Sequence, residues 1–214
     1  AQVDEVGLTL VNGKASCTNP QLTQDRLDEA LGLLRTLPVQ ELELDGCGEI
    51  QNIDGVEFLP ELQHLSLAGC ERLESIDGVD RLAHLKTLNL SECCSLESLE
   101  PINGLPRLEA LKAYQCDFLA RRSGGEIHDM RLPAMQWLDL EACDAITKID
   151  NIDAPRLKEL RLRGCVNLEE LSGMRAPRLK GADLAVCRSL ESLEGLNQCT
   201  KTVGADRLPV LGFG

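Results

Sequence analysis

The residues of this chain best equipped for chemistry are its ten cysteines. Seven of them recur at one phase: Cys47, Cys70, Cys93, Cys116, Cys143, Cys165 and Cys187. A thiol in such a series can be a disulfide partner, a metal ligand, a nucleophile or a buried structural part. Zinc needs four ligands converging on a tetrahedron, often supplied as C-x₂-C pairs. Here the cysteines of the series are 22 to 27 residues apart and no C-x₂-C occurs. A nucleophile needs one thiol tuned by a base partner, and seven equivalent thiols are not one tuned thiol. Cys17, Cys94 and Cys199 lie outside the series.

No other catalytic set is present. The histidines are His64, His84 and His128, and none belongs to an H-E-x-x-H motif. There is no G-x-S-x-G, no phosphate-binding glycine loop and no GK[ST]. The Asp and Glu residues fall at repeat-periodic exposed positions and read as a solvated face. The sequence therefore predicts a protein that is not an enzyme and that needs no cofactor or metal.

The elements that position the cysteines follow from a frame, apolar-x-x-apolar-x-apolar-x-x-Cys. It appears as "VQELELDGC" (39–47), "LQHLSLAGC" (62–70), "LKTLNLSEC" (85–93), "LEALKAYQC" (108–116), "MQWLDLEAC" (135–143), "LKELRLRGC" (157–165) and "LKGADLAVC" (179–187). An eighth copy, "TKTVGADRL" (200–208), is degenerate and carries Leu208 at the cysteine phase. The steps between copies are 23, 23, 23, 27, 22, 22 and 21 residues. Within each frame the apolar residues alternate with period two, which predicts a short strand. After each cysteine they recur with period three, as in Leu73, Ile76 and Val79 or Leu96, Leu99 and Ile102. Such spacing suits a short 3₁₀-like segment and is too brief for a full helix. No copy can bury its leucine face alone, so stacked copies predict a parallel sheet inside an arc, with return segments outside.

Side chains at one phase of such a stack lie about 4.8 Å apart. A disulfide wants Cβ atoms about 3.8 Å apart with a roughly 90° twist, which a row of identical rotamers does not offer. The expectation for the seven thiols is structural: each fills space at the bend, with its weak S–H donor meeting a backbone carbonyl. Many unpaired buried thiols point to a reducing, intracellular compartment.

The frame resembles the leucine-rich repeat superfamily over roughly residues 39 to 208. The short repeat, with Cys where many members have Asn, is similar to repeats of internalins and of a protein phosphatase 1 regulatory subunit. It is also similar to cysteine-bearing repeats of plant immune receptors and trypanosomatid proteins, and less so to the longer F-box type. The resemblance implies an α/β, right-handed leucine-rich repeat solenoid with a concave parallel sheet and a 3₁₀ or irregular convex side. It implies protein–protein recognition through the concave face. A regulatory subunit of a phosphatase or ubiquitin-ligase-type complex, and a secreted or surface receptor-like protein, are the alternatives.

Domain organisation follows: an N-terminal strand–helix cap over 1–38, seven repeats over 39–199, and a degenerate repeat with a C-terminal cap over 200–214. In the cap, "VGLTL" (6–10) reads as a strand. "NPQLTQDRLDEALGLLRTL" (19–37) reads as an amphipathic helix begun at Asn19–Pro20, with Leu27, Leu31 and Leu34 on one side.

Composition narrows the partners. The net charge of −13 disfavours nucleic acid, whose phosphates need clustered Lys and Arg. No apolar run is long enough to insert in a membrane, and the first twenty residues lack a signal-peptide layout. The partner class is protein or peptide, with a larger complex or flanking domains as the wider setting, and the alternating residues of each strand would meet it. One column reads Glu41, His64, Thr87, Ala110, Trp137, Glu159, Gly181. The next reads Glu43, Ser66, Asn89, Lys112, Asp139, Arg161, Asp183, and a third Asp45, Ala68, Ser91, Tyr114, Glu141, Arg163, Ala185. The only Trp and the only Tyr, Trp137 and Tyr114, share this face with Lys112, Asp139, Glu141, Arg161 and Arg163. Trp, Tyr and Arg most often carry interface energy, so these residues and His64 are the candidate contact surface; an ordinary strand face is the alternative. The sequon at Asn89 falls on a strand, where a glycan would obstruct the inner face. "ARRSGGEIHD" (120–129) interrupts the fourth repeat and reads as a flexible loop; it is either a tolerated insertion or a contact, with Ser123 a phosphorylation candidate.

Overall fold

A computed structural model describes residues 7–196 and the strand Thr202–Val203. Leu208, Cys199 and the expected C-terminal cap lie outside the described residues. The chain is a leucine-rich repeat solenoid. Its concave side is one ten-stranded sheet, parallel except for the first pair. The strands run from β1 (Leu8–Val11) and β2 (Lys14–Cys17) through β3 (Glu41–Glu43), β4 (His64–Ser66), β5 (Thr87–Asn89) and β6 (Ala110–Lys112). β7 (Glu126–His128) belongs elsewhere; the sheet continues with β8 (Trp137–Asp139). β9 (Lys148–Asp150) and β11 (Glu170–Leu171) are likewise apart, while β10 (Glu159–Arg161), β12 (Gly181–Asp183) and β13 (Thr202–Val203) complete it.

Each three-residue strand points its central residue inward. Leu42, Leu65, Leu88, Leu111, Leu138, Leu160 and Ala182 pair in register and are all buried. Burying each leucine contributes about 1.5–3 kcal/mol, realised only through neighbouring repeats. Among the described residues the core holds no buried polar or charged residue.

The seven thiols are at most 8% exposed. Six donate to the carbonyl that closes the preceding repeat's strand. Cys70 Sγ lies 3.2 Å from Leu44 O, Cys93 Sγ 3.1 Å from Leu67 O, and Cys116 Sγ 3.0 Å from Leu90 O. Cys143, Cys165 and Cys187 meet Ala113, Leu140 and Leu162 at 3.0–3.1 Å. Burial pushes the thiol pKa up to about 12 at Cys70 and about 11 at Cys187, which removes them as nucleophiles near neutrality.

The residue before each thiol is left-handed. Gly46, Gly69 and Gly164 take φ of 74°, 71° and 78°; Glu92, Gln115, Ala142 and Val186 take 62°, 57°, 54° and 69°. The turn out of the strand demands this conformation whatever the residue.

The convex side departs from expectation. Repeats one to three carry the 3₁₀ turns the period-three spacing predicts, at Val56–Phe58, Val79–Arg81 and Glu100–Ile102. Repeats four to six instead form a second parallel sheet of β7, β9 and β11, extended by bridges Arg131 to Asp153 and Asp153 to Arg175. The cause is one residue. Val56 to Leu59 and Val79 to Leu82 are three apart, matching a 3₁₀ turn. Met130 to Leu132, Ile152 to Ala154 and Met174 to Ala176 are two apart, which only extended chain can bury together. The shorter 22-residue steps carried this signal.

The cap also differs. "VNGK" is a tight hairpin joining β1 to β2, with Asn12 and Gly13 left-handed at φ 51° and 81°. Asn-Gly between alternating residues is a strong hairpin signal, and it places β2 beside β3 as a first rung. The helix α1 spans Gln24–Leu34 and buries Leu27, Ala30, Leu31 and Leu34. It starts after the expected Asn19–Pro20, because Asn19 instead closes a turn: its Oδ1 accepts Gln21 N–H at 3.0 Å.

The 120–129 segment is no flexible loop. Arg121–Ser123 is a 3₁₀ turn, and Gly125 N–H closes on Ala120 O at 2.8 Å. Gly125 is there for close approach: an added Cβ would meet Thr147 Oγ1 at 2.5 Å and Ala145 O at 2.9 Å. Ser123 Oγ lies within hydrogen-bond distance of the Ala120 and Glu126 carbonyls. Arg121, Arg122, Ser123 and Gly124 form a continuous exposed stretch, and Arg122 Nε reaches Glu97 Oε2 at 3.6 Å.

Candidate functional site

Register aligns the first two concave columns residue by residue. Glu41, His64, Thr87, Ala110, Trp137, Glu159 and Gly181 pair across successive strands, as do Glu43, Ser66, Asn89, Lys112, Asp139, Arg161 and Asp183. The hairpin adds Lys14 and Ser16 at their head.

The two halves of this face differ in how they use their polar groups. The first half satisfies its own. Lys14 Nζ pairs with Glu43 and lies 3.9 Å from Glu41 Oε2. His64 Nδ1 meets Thr87 Oγ1 at 2.7 Å, and Asn89 Nδ2 donates to Ser66 Oγ at 3.2 Å. Asn89 Oδ1 accepts from Ser91 N–H and Oγ, so the sequon amide is engaged on both sides.

The second half holds uncommitted donors. The Arg161 guanidinium sits 4.4 Å from the Trp137 ring centroid. This is a diagonal contact: Arg161 is two residues beyond Glu159, the direct partner of Trp137. Stacking leaves the guanidinium edges free, and Arg161 makes no ion pair among the described residues. Trp137 Nε1 is buried without a hydrogen-bond partner, a state costing about 1–3 kcal/mol. Lys112 is exposed and Tyr114 is 40% exposed; neither side chain donates to another described residue.

The acids here are partly structural. Asp139 Oδ1 accepts Glu141 N–H at 3.1 Å, and Asp183 Oδ1 accepts Ala185 N–H at 2.9 Å, bracing the bend as Asn89 does. Asp183 also holds Arg163, whose Nε is 3.5 Å from Oδ2. Partial burial, then the Asp139 carboxylate, push the Glu141 pKa above its ordinary value, against the pull of Arg161 and Arg163.

The structure therefore divides the candidate residues. Trp137 and Arg161 touch, and Arg163 pairs with Asp183 one strand on. Tyr114 lies in the turn after β6, the strand next to Trp137, and is level with Glu141, four residues along, or about 13 Å of extended chain. His64 lies three strands from Trp137, about 14 Å away, and belongs to the self-satisfied half. The contrast in donor use was invisible in the sequence, because it depends on which side chains meet across strands.

No family model matches the chain, and no curated protein is similar to it in sequence. Solved structures are similar in shape. One is titled a TLR13–ssRNA13 complex, at 14% identity and a TM-score of 0.40, covering 87% of this chain and 42% of that one. Two others are internalins of Listeria monocytogenes str. 4b F2365. InlF gives 12% identity and a TM-score of 0.31, covering 84% of this chain and 82% of its own. Internalin C2 gives 15% and 0.32, covering 85% and 83%. This chain thus spans less than half the length of the first. Among the described residues no helix is long and apolar enough to cross a membrane.

Proposed function

We propose that the chain is a non-catalytic recognition module whose concave face, over β6 to β12, binds a protein or peptide segment rich in hydrogen-bond acceptors. The observation that carries this reading is the contrast between the two halves of the face. One half pairs its polar groups internally, whereas the other presents Lys112, Tyr114 and the Arg161 guanidinium stacked on Trp137. Backbone carbonyls with one or a few carboxylates suit those donors. A strongly acidic segment does not, since a net charge of −13 would repel it.

The test uses the sole tryptophan. Peptides selected from a display library on the intact chain are titrated while Trp137 fluorescence is followed. Binding should weaken at least tenfold in Arg161→Ala and in Trp137→Phe, read by calorimetry, and stay within about twofold in His64→Ala. Equal losses from His64→Ala and Arg161→Ala would move the contact off β6 to β12.

A further inference from the structure

The first ladder thiol differs from the other six. Register sets Ala15 against Leu42 and Ser16 against Glu43, so Cys17 falls at the column of Leu44, not of Cys47. The sulfur of Cys17 therefore occupies the space that a leucine fills in every repeat except the fourth, where Ala113 stands. Cys47, which in the common pattern would donate to a strand-closing carbonyl, instead lies with its Sγ 2.8 Å from Cys17 Sγ. Both are free thiols. Cys47 is fully buried, whereas Cys17 is partly exposed and its Sγ also lies 3.0 Å from Asn19 O.

We propose that Cys17 and Cys47 are a redox pair that forms a reversible disulfide, stapling the N-terminal cap to the first repeat. The two residues come from different columns, Cys17 at the leucine column and Cys47 at the ladder column, so the identical-rotamer objection to ladder disulfides does not apply to them. Access is asymmetric in the required sense: the exposed thiol meets the reagent and the buried one resolves. The S–H contact from Cys47, as the larger influence, lowers the Cys17 pKa to about 7 against the opposing effect of its burial, so a large thiolate fraction exists near neutrality.

The co-reactant is a low-molecular-weight disulfide. The Cys17 thiolate attacks one of its sulfurs, forming a mixed disulfide and expelling one thiolate, which takes a proton from water. Cys47, whose S–H already lies against the Cys17 sulfur, then attacks it as its proton passes to the departing second thiolate. The mixed S–S bond breaks, the Cys17–Cys47 bond forms, and the second thiolate leaves and is protonated. Two protein thiols are oxidised and one external disulfide is reduced to two thiols.

The experiment incubates the native full chain with oxidised glutathione, alkylates the remaining thiols, and maps the products by fragmentation mass spectrometry. A Cys17–Cys47 crosslink should form first and reverse with dithiothreitol. Amide exchange through β1, β2 and α1 should slow on the order of 10²-fold on oxidation, and Cys17→Ser should abolish both effects while Cys94→Ser leaves them. A persistent glutathione adduct at Cys17, a crosslink to any other cysteine, or a chain that stays reduced while Cys94 reacts would each overturn the pair. Because Cys17 is partly exposed, Cys17→Ser should fold; Cys17→Ala serves as its second check by the same exchange measurement.

Discussion

Glu92→Gly should stabilise this protein although it removes a side chain and adds none. Glu92 precedes ladder Cys93 and is held at φ 62°, in the left-handed region. For an L-residue that costs about 1–2 kcal/mol. Glycine takes the conformation without penalty but brings about 0.5–1 kcal/mol of extra unfolded-state entropy. The Glu92 side chain is exposed, and its N–H to Tyr114 O, at 2.8 Å, is a backbone bond that survives the change. The net gain is therefore about 0.5–1 kcal/mol. Gln115→Gly, at φ 57° in the next repeat, should by itself give a similar gain. The reverse change, Gly69→Ala, should cost about 0.5–1 kcal/mol by the same balance. Steric crowding does not contribute there, because the added Cβ would meet only Gly46 backbone atoms at 3.6 Å. Urea denaturation measures all of this, with the midpoint shifting and the slope unchanged. If Glu92→Gly and Gln115→Gly lower the midpoint while Gly69→Ala leaves it alone, the left-handed turn before each cysteine is not the constraint claimed for it.

Other outcomes are equally open to measurement. Arg161→Ala should lose about 0.5–1 kcal/mol of cation–π contact and red-shift the emission of Trp137; an unmoved spectrum would mean that the stack does not form in solution. The Glu141 pKa is raised, so the protonated acid is favoured in the folded state and that contribution is lost as pH rises through the folded pKa. Glu141→Gln should therefore raise the melting temperature at pH 7, with the gain vanishing below the ordinary carboxylate range; a gain that persists at low pH would refute the assignment. Deleting 120–124 restores a 22-residue step and should keep the fold. Deleting 121–126 removes Gly125 and the start of β7 and should destabilise repeats four to six, both read by circular dichroism melts.

Much of this architecture was legible because it is periodic. The leucine phases and the cysteine phase are local facts repeated seven times, and stacking turns each into a column. The concave columns could thus be written down residue by residue. The convex switch was also present, as the two-residue gaps at Met130–Leu132 and Ile152–Ala154, but the earlier three-residue gaps masked it. Asn12–Gly13 likewise announced a hairpin that the apolar pattern of the cap did not.

What the sequence by itself determined is therefore everything set by spacing along the chain: repeat, register, inward leucines and buried thiols. Tertiary structure decided which side chains meet between rungs. It put Arg161 on Trp137, let His64 find Thr87, and brought Cys17 to Cys47, 30 positions further along the chain. The physical reason is that these contacts depend on rotamers and on the offset between neighbouring strands, and a linear pattern carries neither.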